Sequence, residues 1–321
     1  MSKSVAPSFS LSYLSPRYWP TLLMIGVMFL LSLLPYSVQF RLGQGLGKFL
    51  LGFMKKRRFT IERNLALCFP HLSEQARERM AEQNMGNSGL ALFETGMAWF
   101  WSDARVKRHV KYEGMEHVEA LEKQGKGALF IAVHSLNLEL GARAFGVMKS
   151  GIGVQRANNN PCFNYFQCKG RSRSNRTLLD RKDVKGMLKA LKTGGRVWYA
   201  PDHDYGLRRG TFAPLFAVEN ACTTMGTSLL VDSAECEVVP FVFVRDCDSG
   251  QYTVKILPPL HDFPRNEPEK AAAFINNVVE QSIMEAPEQY MWLHRRFKTR
   301  PEGEASLYGP VQVKEAEPKV A

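Results

Sequence analysis

The sequence predicts an α/β protein, with a mixed central sheet flanked by helices and an N-terminal membrane-anchoring helix. Three observations predict it. From Gly127 onward, short apolar runs alternate with amphipathic helical patterns, which is how a mainly parallel or mixed α/β sheet is written. Residues 61 to about 110 carry helical periodicity instead, and no charged residue stands between Arg17 and Arg41. A chain of 321 residues with 45% hydrophobic content has ample material for one large domain or two ordinary ones, which excludes a disordered protein.

In chain order, residues 1–17 form a tail and residues 18–36 (YWPTLLMIGVMFLLSLLPY) a transmembrane anchor. At about 1.5 Å per residue this stretch crosses most of a bilayer. Pro20 and Pro35 sit near its ends, and Tyr18, Trp19 and Tyr36 suit an interfacial aromatic belt. Lys3 and Arg17 precede it, whereas Arg41, Lys48, Lys55, Lys56, Arg57 and Arg58 follow, so the body of the chain is expected on the cytoplasmic side. The prolines and Gly26 also suit a buried helix or a bent surface hairpin. Residues 37–60 mix apolar and cationic positions, as a basic amphipathic segment at an interface does.

Residues 61–125 form a helical region packing on the core. Ser73 is its expected N-cap ahead of Glu74, and Leu90, Phe93, Met97 and Phe100 repeat at helical spacing. Trp99, Phe100 and Trp101 close that run as core aromatics, with contact to an acyl chain as the alternative. Residues 126–308 are the α/β core. Its expected strands are 128–133, 151–155, 196–200, 238–244 and 252–257. One helix carries Val184, Met187, Leu188 and Leu191 and stops at Gly194-Gly195; another starts at Pro268. The tail, residues 309–321, is polar and expected to be disordered.

A formal net charge of +11 requires an anionic partner: nucleic acid, an acidic membrane face or a phosphorylated substrate. The six cysteines show no CxxC pair and no regular framework, so they are expected to be reduced thiols and no metal site is assigned to them.

Polar residues cluster where predicted strands end. The strand 128–133 runs into His134, and Glu139 follows five residues on. A five-residue step on one helix separates side chains by about 140°, so the two converge only across a strand-to-helix turn. In that arrangement His134 is a general base at the carboxyl edge of a sheet, and Glu139 holds its second nitrogen. By spacing alone, a structural histidine is favoured over a catalytic one. The next two strands end in Arg156 with NNNP (158–161) and in PDHDYG, containing Asp202, His203 and Asp204. Ligands gather outside the carboxyl ends of strands in open α/β sheets. The loop GRSRSNR (170–176), with Arg171 and Arg173, suits phosphate, and EQYMWLHRRFKTRP (288–301), with Arg296, suits an element meeting anionic lipid head groups.

The segments LSPRYWPT, IERNLALCFP, LFETGMAWFW, VHSLNLELGAR, NNNP, GRSRSNR, APDHDYG, FAPLFAVENACTTMGT and APEQYMWLHRRFKTRP together resemble the late acyltransferases of lipid A biosynthesis, from about residue 12 to 308. The resemblance implies the glycerol-phosphate-acyltransferase-like fold and an HxxxxD/E active site. It implies acyl-acyl-carrier-protein as donor, Kdo2-lipid IVA as acceptor, anionic inner-membrane lipid as surroundings, no cofactor and no nucleic acid. His134 and Glu139 correspond to the catalytic dyad, Arg171 to a functionally important arginine, and Asp202 to the acidic residue of the PDxDYG block, expected to position Arg171 or its loop. Arg156, Arg173, Asp204 and Arg296 join Arg171 and Asp202 as expected substrate-binding residues. Glu139, rather than Asp, resembles the lauroyl/palmitoleoyl branch. Two other classes compete: a metal-dependent hydrolase of a phosphorylated lipid, with His134, Asp202, His203 and Asp204 as ligands, and a membrane-tethered nucleic-acid-binding protein.

Overall fold

The computed structural model describes residues 7–247 and 249–309. The expected tails, 1–17 and 309–321, therefore lie partly outside the described residues.

Five helices open the chain: α1 (Trp19–Leu33), α2 (Tyr36–Phe53), α3 (Lys55–Cys68), α4 (Glu74–Phe100) and α5 (Asp103–His109). Strand and helix then alternate as β1 (Val110–Glu113), α6 (Met115–Lys123), β2 (Ala128–Ile131), α7 (Leu138–Met148), β3 (Gly151–Gln155), α8 (Pro161–Arg171), β4 (Asn175–Asp180), α9 (Val184–Lys192) and β5 (Arg196–Tyr199). A hairpin of β6 (Gly210–Leu215) and β7 (Val218–Thr224) is followed by α10 (Gly226–Ala234), β8 (Glu237–Arg245), β9 (Tyr252–Ile256) and α11 (Pro268–Met284).

The seven-stranded sheet has the order β1-β9-β8-β2-β5-β3-β4. Pairing is parallel from β8 through β4, and β9 runs antiparallel to β8. Strand β2 is central and buried on both faces, which is why it reads as an unbroken apolar run. Leu129 and Ile131 face a core shared with α9, α10 and α11, while Ala128 and Phe130 face a second core built on α4 and α7. There Phe130 meets Phe145 at 5.1 Å and Trp198 at 5.4 Å between ring centroids, and Trp198 stands edge-on to Phe241 at 4.5 Å. Such pairs contribute about 0.5–1.5 kcal/mol beyond buried area.

The expected strands and helices are present, and Ser73 caps α4 by accepting the Ala76 amide. The sequence reading lacked β1, β4 and the β6–β7 hairpin. These are short or polar segments, such as Asn175–Asp180, whose strand character comes from pairing with a neighbour rather than from alternation.

The expected N-terminal apolar helix is present. Helix α1 has 15 residues, about 22 Å of rise, and it ends where Leu34 is extended ahead of Pro35. The window Pro16–Leu33 is long and apolar enough to cross a membrane by length and composition, with 17% of it buried. One flank packs on α4 through Ile25 and Ser32, while Leu23, Met24, Val27, Phe29, Leu30 and Leu33 are exposed. Helix α2 packs intimately on α4. A Cβ on Gly89 would meet the Gly47 nitrogen at 2.2 Å and the Gly43 oxygen at 2.3 Å, so only glycine permits this backbone approach.

After α11 the chain doubles back across the end of β2. Asn84 on α4 donates to the carbonyls of Glu288 (2.9 Å) and Tyr290 (2.7 Å), and Asn64 on α3 donates to those of Trp292 (2.7 Å) and His294 (2.8 Å). Gln289 accepts the Arg245 amide and donates back to the Arg245 carbonyl. Buried amides in a segment without regular structure need such partners, and the asparagines supply them.

Candidate active site

A cleft of about 1280 Å³ opens outside the carboxyl ends of β2, β3 and β5. Register places its central pair. Strands β2 and β5 match Ile131 with Tyr199, so His134 and Asp202, each three residues further on, leave the sheet side by side. His134 Nδ1 lies 2.7 Å from Asp202 Oδ1, and the His134 main-chain N–H donates to Oδ2 at 3.0 Å. The Tyr290 hydroxyl donates to the same Oδ2 at 2.9 Å. Because the carboxylate only accepts, Nδ1 carries the proton and Nε2 is left as the basic atom.

Asp202 is fully buried, which pushes its pKa up, but the charge and hydrogen bonds of His134 outweigh burial and hold the carboxyl well below its usual range. Burial likewise pulls His134 down, and the Asp202 carboxylate more than reverses it, leaving the imidazole raised above 6.5. His203 stacks on His134 with centroids 3.6 Å apart and planes 10° from parallel, and His294 lies 4.7 Å from His203. Burial first, then the charge of His134, pushes His203 down to about 3, so it stays neutral at working pH.

Glu139 does not hold the imidazole. It sits in the first turn of α7 as expected, but its carboxylate points at Arg171 on the last turn of α8. Arg171 Nε donates to Oε1 at 2.9 Å and Nη2 to Oε2 at 2.8 Å, while Trp99 Nε1 donates to Oε1 at 3.0 Å. Arg171 Nη1 donates to Gln155 at the end of β3 (2.8 Å). The physical reason is that the turn Ser135–Asn137 carries Glu139 toward α4 and α8, whereas β5 delivers Asp202 to Nδ1. Burial raises the Glu139 carboxyl, and the charge of Arg171 overrides it to give a lowered pKa.

Residues 6–299 match the family described as bacterial lipid A biosynthesis acyltransferase. The chain belongs to that family. It is 54% identical over 302 residues, 94% of this chain and 99% of the other, to the lipid A biosynthesis lauroyltransferase of Escherichia coli K12. It is 43% identical over 300 residues, 94% and 98% of the two chains, to the palmitoleoyltransferase of the same organism. A solved 1-acyl-sn-glycerophosphate acyltransferase from Thermotoga maritima aligns with 75% of this chain and 98% of that one at 12% identity, with a TM-score of 0.35, too loose a likeness to bear on the site.

In this member of the family, Arg156 and Arg171 line the cleft together with exposed Arg181, Lys182, Arg208 and Arg209. Three other expected substrate-binding residues serve the fold instead. Arg173 donates to the carbonyls of Trp99 and Trp101 and closes the end of α4. Asp204, buried, accepts from Thr299 N and Oγ1 and from Gly206 N, pinning the C-terminal segment to the loop after β5. Arg296, 3% exposed, donates to the Cys222 carbonyl at 2.8 Å. In the segment expected to meet lipid head groups, the aromatic residues Tyr290, Trp292 and Phe297 are buried in the core, while His294, Arg295 and Lys298 are exposed.

His134, Asp202 and His203 stand close enough to resemble a metal-ligand trio. Both Asp202 oxygens already accept hydrogen bonds, and two parallel rings aim their lone pairs alongside each other rather than at one point. The sequence reading missed Tyr290, the stacking of His203 and the clamp from Gln155. Only the polar ends of strands β3 and β5 hinted at the last two.

Proposed function

We propose that this lipid A acyltransferase moves a fatty acyl group, laurate by preference, from acyl-acyl-carrier-protein to a hydroxyacyl chain of Kdo2-lipid IVA. The observation that carries the reading is the buried Asp202–His134 pair opening its Nε2 side to a basic cleft in a chain of this family. His134 Nε2 takes the proton of the acceptor hydroxyl as that oxygen attacks the thioester carbonyl, and Asp202 stabilises the imidazolium that forms. The tetrahedral intermediate then expels the carrier thiolate, which recovers the proton from His134 to leave a free thiol. No cofactor enters this sequence.

Arg171 spends three of its five N–H groups on Glu139 and Gln155, leaving two for substrate. Its charge is balanced by Glu139, so it acts as an oriented donor beside the reacting carbonyl, while Arg156, Arg181, Lys182, Arg208 and Arg209 take the acceptor's phosphates and carboxylates. Trp99, Leu138 and Ala142 supply apolar wall for the acyl chain. The preference for laurate follows the higher identity to the lauroyltransferase. The exposed apolar flank of the Pro16–Leu33 window suits a helix held in the inner membrane beside its lipid substrate.

Purified protein given lauroyl- and palmitoleoyl-carrier protein together with Kdo2-lipid IVA tests this by mass spectrometry of the product. The expected result is one added laurate, insensitive to chelators and absent from His134→Ala. Transfer by His134→Ala at wild-type rate refutes the assignment of the base, and no transfer to this acceptor by wild type refutes the substrate.

A further inference from the structure

Among the described residues, the Tyr290 hydroxyl is the one donor to the Asp202 carboxylate that His134 does not supply. It is delivered with unusual care. Tyr290 pairs with Ser135 in an isolated antiparallel bridge, Met291 N donates to the His134 carbonyl at 3.0 Å, and Leu136 N donates to the Gln289 carbonyl at 2.8 Å. Asn137 donates to Gln289 Oε1 at 3.0 Å, and Asn84 holds the Tyr290 carbonyl from the other side. The phenol ring is fully packed, edge-on to Trp292 at 4.7 Å. The backbone that carries Tyr290 is therefore bonded directly to the backbone that carries His134.

We propose that Tyr290 is a positioning residue of the active site, its hydroxyl drawing charge from Asp202 Oδ2 so that Oδ1 holds His134 in the proton-accepting tautomer without binding the imidazolium too tightly. The proposal rests on His134 acting as the base. A carboxylate with fewer donors is a stronger base toward the imidazole, so loss of the phenol makes His134 harder to deprotonate. The titratable groups facing the pair are His203 and Tyr205 after β5, His294 and Arg296 on the segment that carries Tyr290, and Cys68 from α3. Arg57 and Lys298 act on His294, and Arg181 on Tyr205.

The test is the pH profile of kcat/KM for the full-length enzyme with lauroyl-carrier protein as donor. In Tyr290→Phe the acidic limb is expected to move up by about half a pH unit, with kcat down about fivefold and KM unchanged. Difluorotyrosine at position 290, a near-isostere and a stronger donor, is expected to move the limb down, and it provides a folded variant should the phenylalanine not fold. Opposite movements support the proposal. An acidic limb that stays put in both variants, or moves the same way in both, overturns it. If wild type itself shows no acidic limb that Asp202→Asn displaces, the assignment of His134 as base fails, a result distinct from failure for Tyr290 alone.

Discussion

Replacing Asp202 by asparagine keeps the shape of the site and removes its charge. The carboxylate accepts three hydrogen bonds, from His134 Nδ1, His134 N and Tyr290. An asparagine that keeps its oxygen toward Nδ1–H turns its amide onto the His134 main-chain N–H, leaving buried donors opposed at about 1–3 kcal/mol. Turned the other way, its amide faces Nδ1 and forces the proton onto Nε2, the atom that must be free. Either outcome is expected to lower kcat by about 10³–10⁴-fold, or about 4–5.5 kcal/mol in the barrier. The acidic limb of kcat/KM, above 6.5 in wild type because Asp202 raises His134, should fall below it, since burial then acts without an opposing charge. The sign for stability follows: the raised His134 pKa contributes stability in full below about 6.5, and that contribution is lost as pH rises through the raised value. Glu139→Gln is the contrasting variant. It breaks the pair with Arg171, costs about 2–4 kcal/mol of stability and leaves the acidic limb in place. Steady-state profiles of both variants from pH 5.5 to 9 decide the matter. Retention by Asp202→Asn of more than a tenth of kcat, or loss of the limb in Glu139→Gln alone, would refute the reasoning.

Three further outcomes are expected. Wild-type Glu139, lowered by Arg171, contributes stability above about 4.3 that is lost only as pH falls through its depressed value. In Arg171→Ala the unpaired buried carboxyl should rise instead, so that variant melts higher at pH 5 than at pH 8, and the reversal disappears in Arg171→Ala with Glu139→Gln. Gly89→Ala pushes a methyl against the backbone of α2 and should cost about 1–3 kcal/mol in denaturant titration of detergent-solubilised protein. Gly26→Ala on α1, with nothing within 4 Å, should instead gain about 0.5–1 kcal/mol. Arg208→Glu with Arg209→Glu should raise KM for the phosphorylated acceptor and flatten its dependence on ionic strength, with kcat unchanged. A KM that ignores the reversal of two charges would argue against electrostatic capture at the cleft.

The family, the mixed sheet and the polar strand ends were legible in the sequence because each is written locally. The apolar run 128–133 ending in His134 needs only a strand and its end, and the capping of α4 by Ser73 needs only the next three residues. The partner of His134 was not legible. Spacing along the chain favours Glu139, five residues away, over Asp202, which is brought in by the register of two strands lying 68 residues apart. The same holds for EQYMWLHRRFKTRP: its mixture of aromatic and cationic residues reads as a membrane surface, yet asparagines on α3 and α4 draw its backbone inside. Composition, local periodicity and motifs are one-dimensional properties, so the sequence alone determined that a histidine stands at a sheet edge within a basic acyltransferase chain that carries an apolar N-terminal helix. Which carboxylate orients that histidine, and which tyrosine bonds the carboxylate, depends on strand order and long-range hydrogen bonds, and only the folded chain decides them.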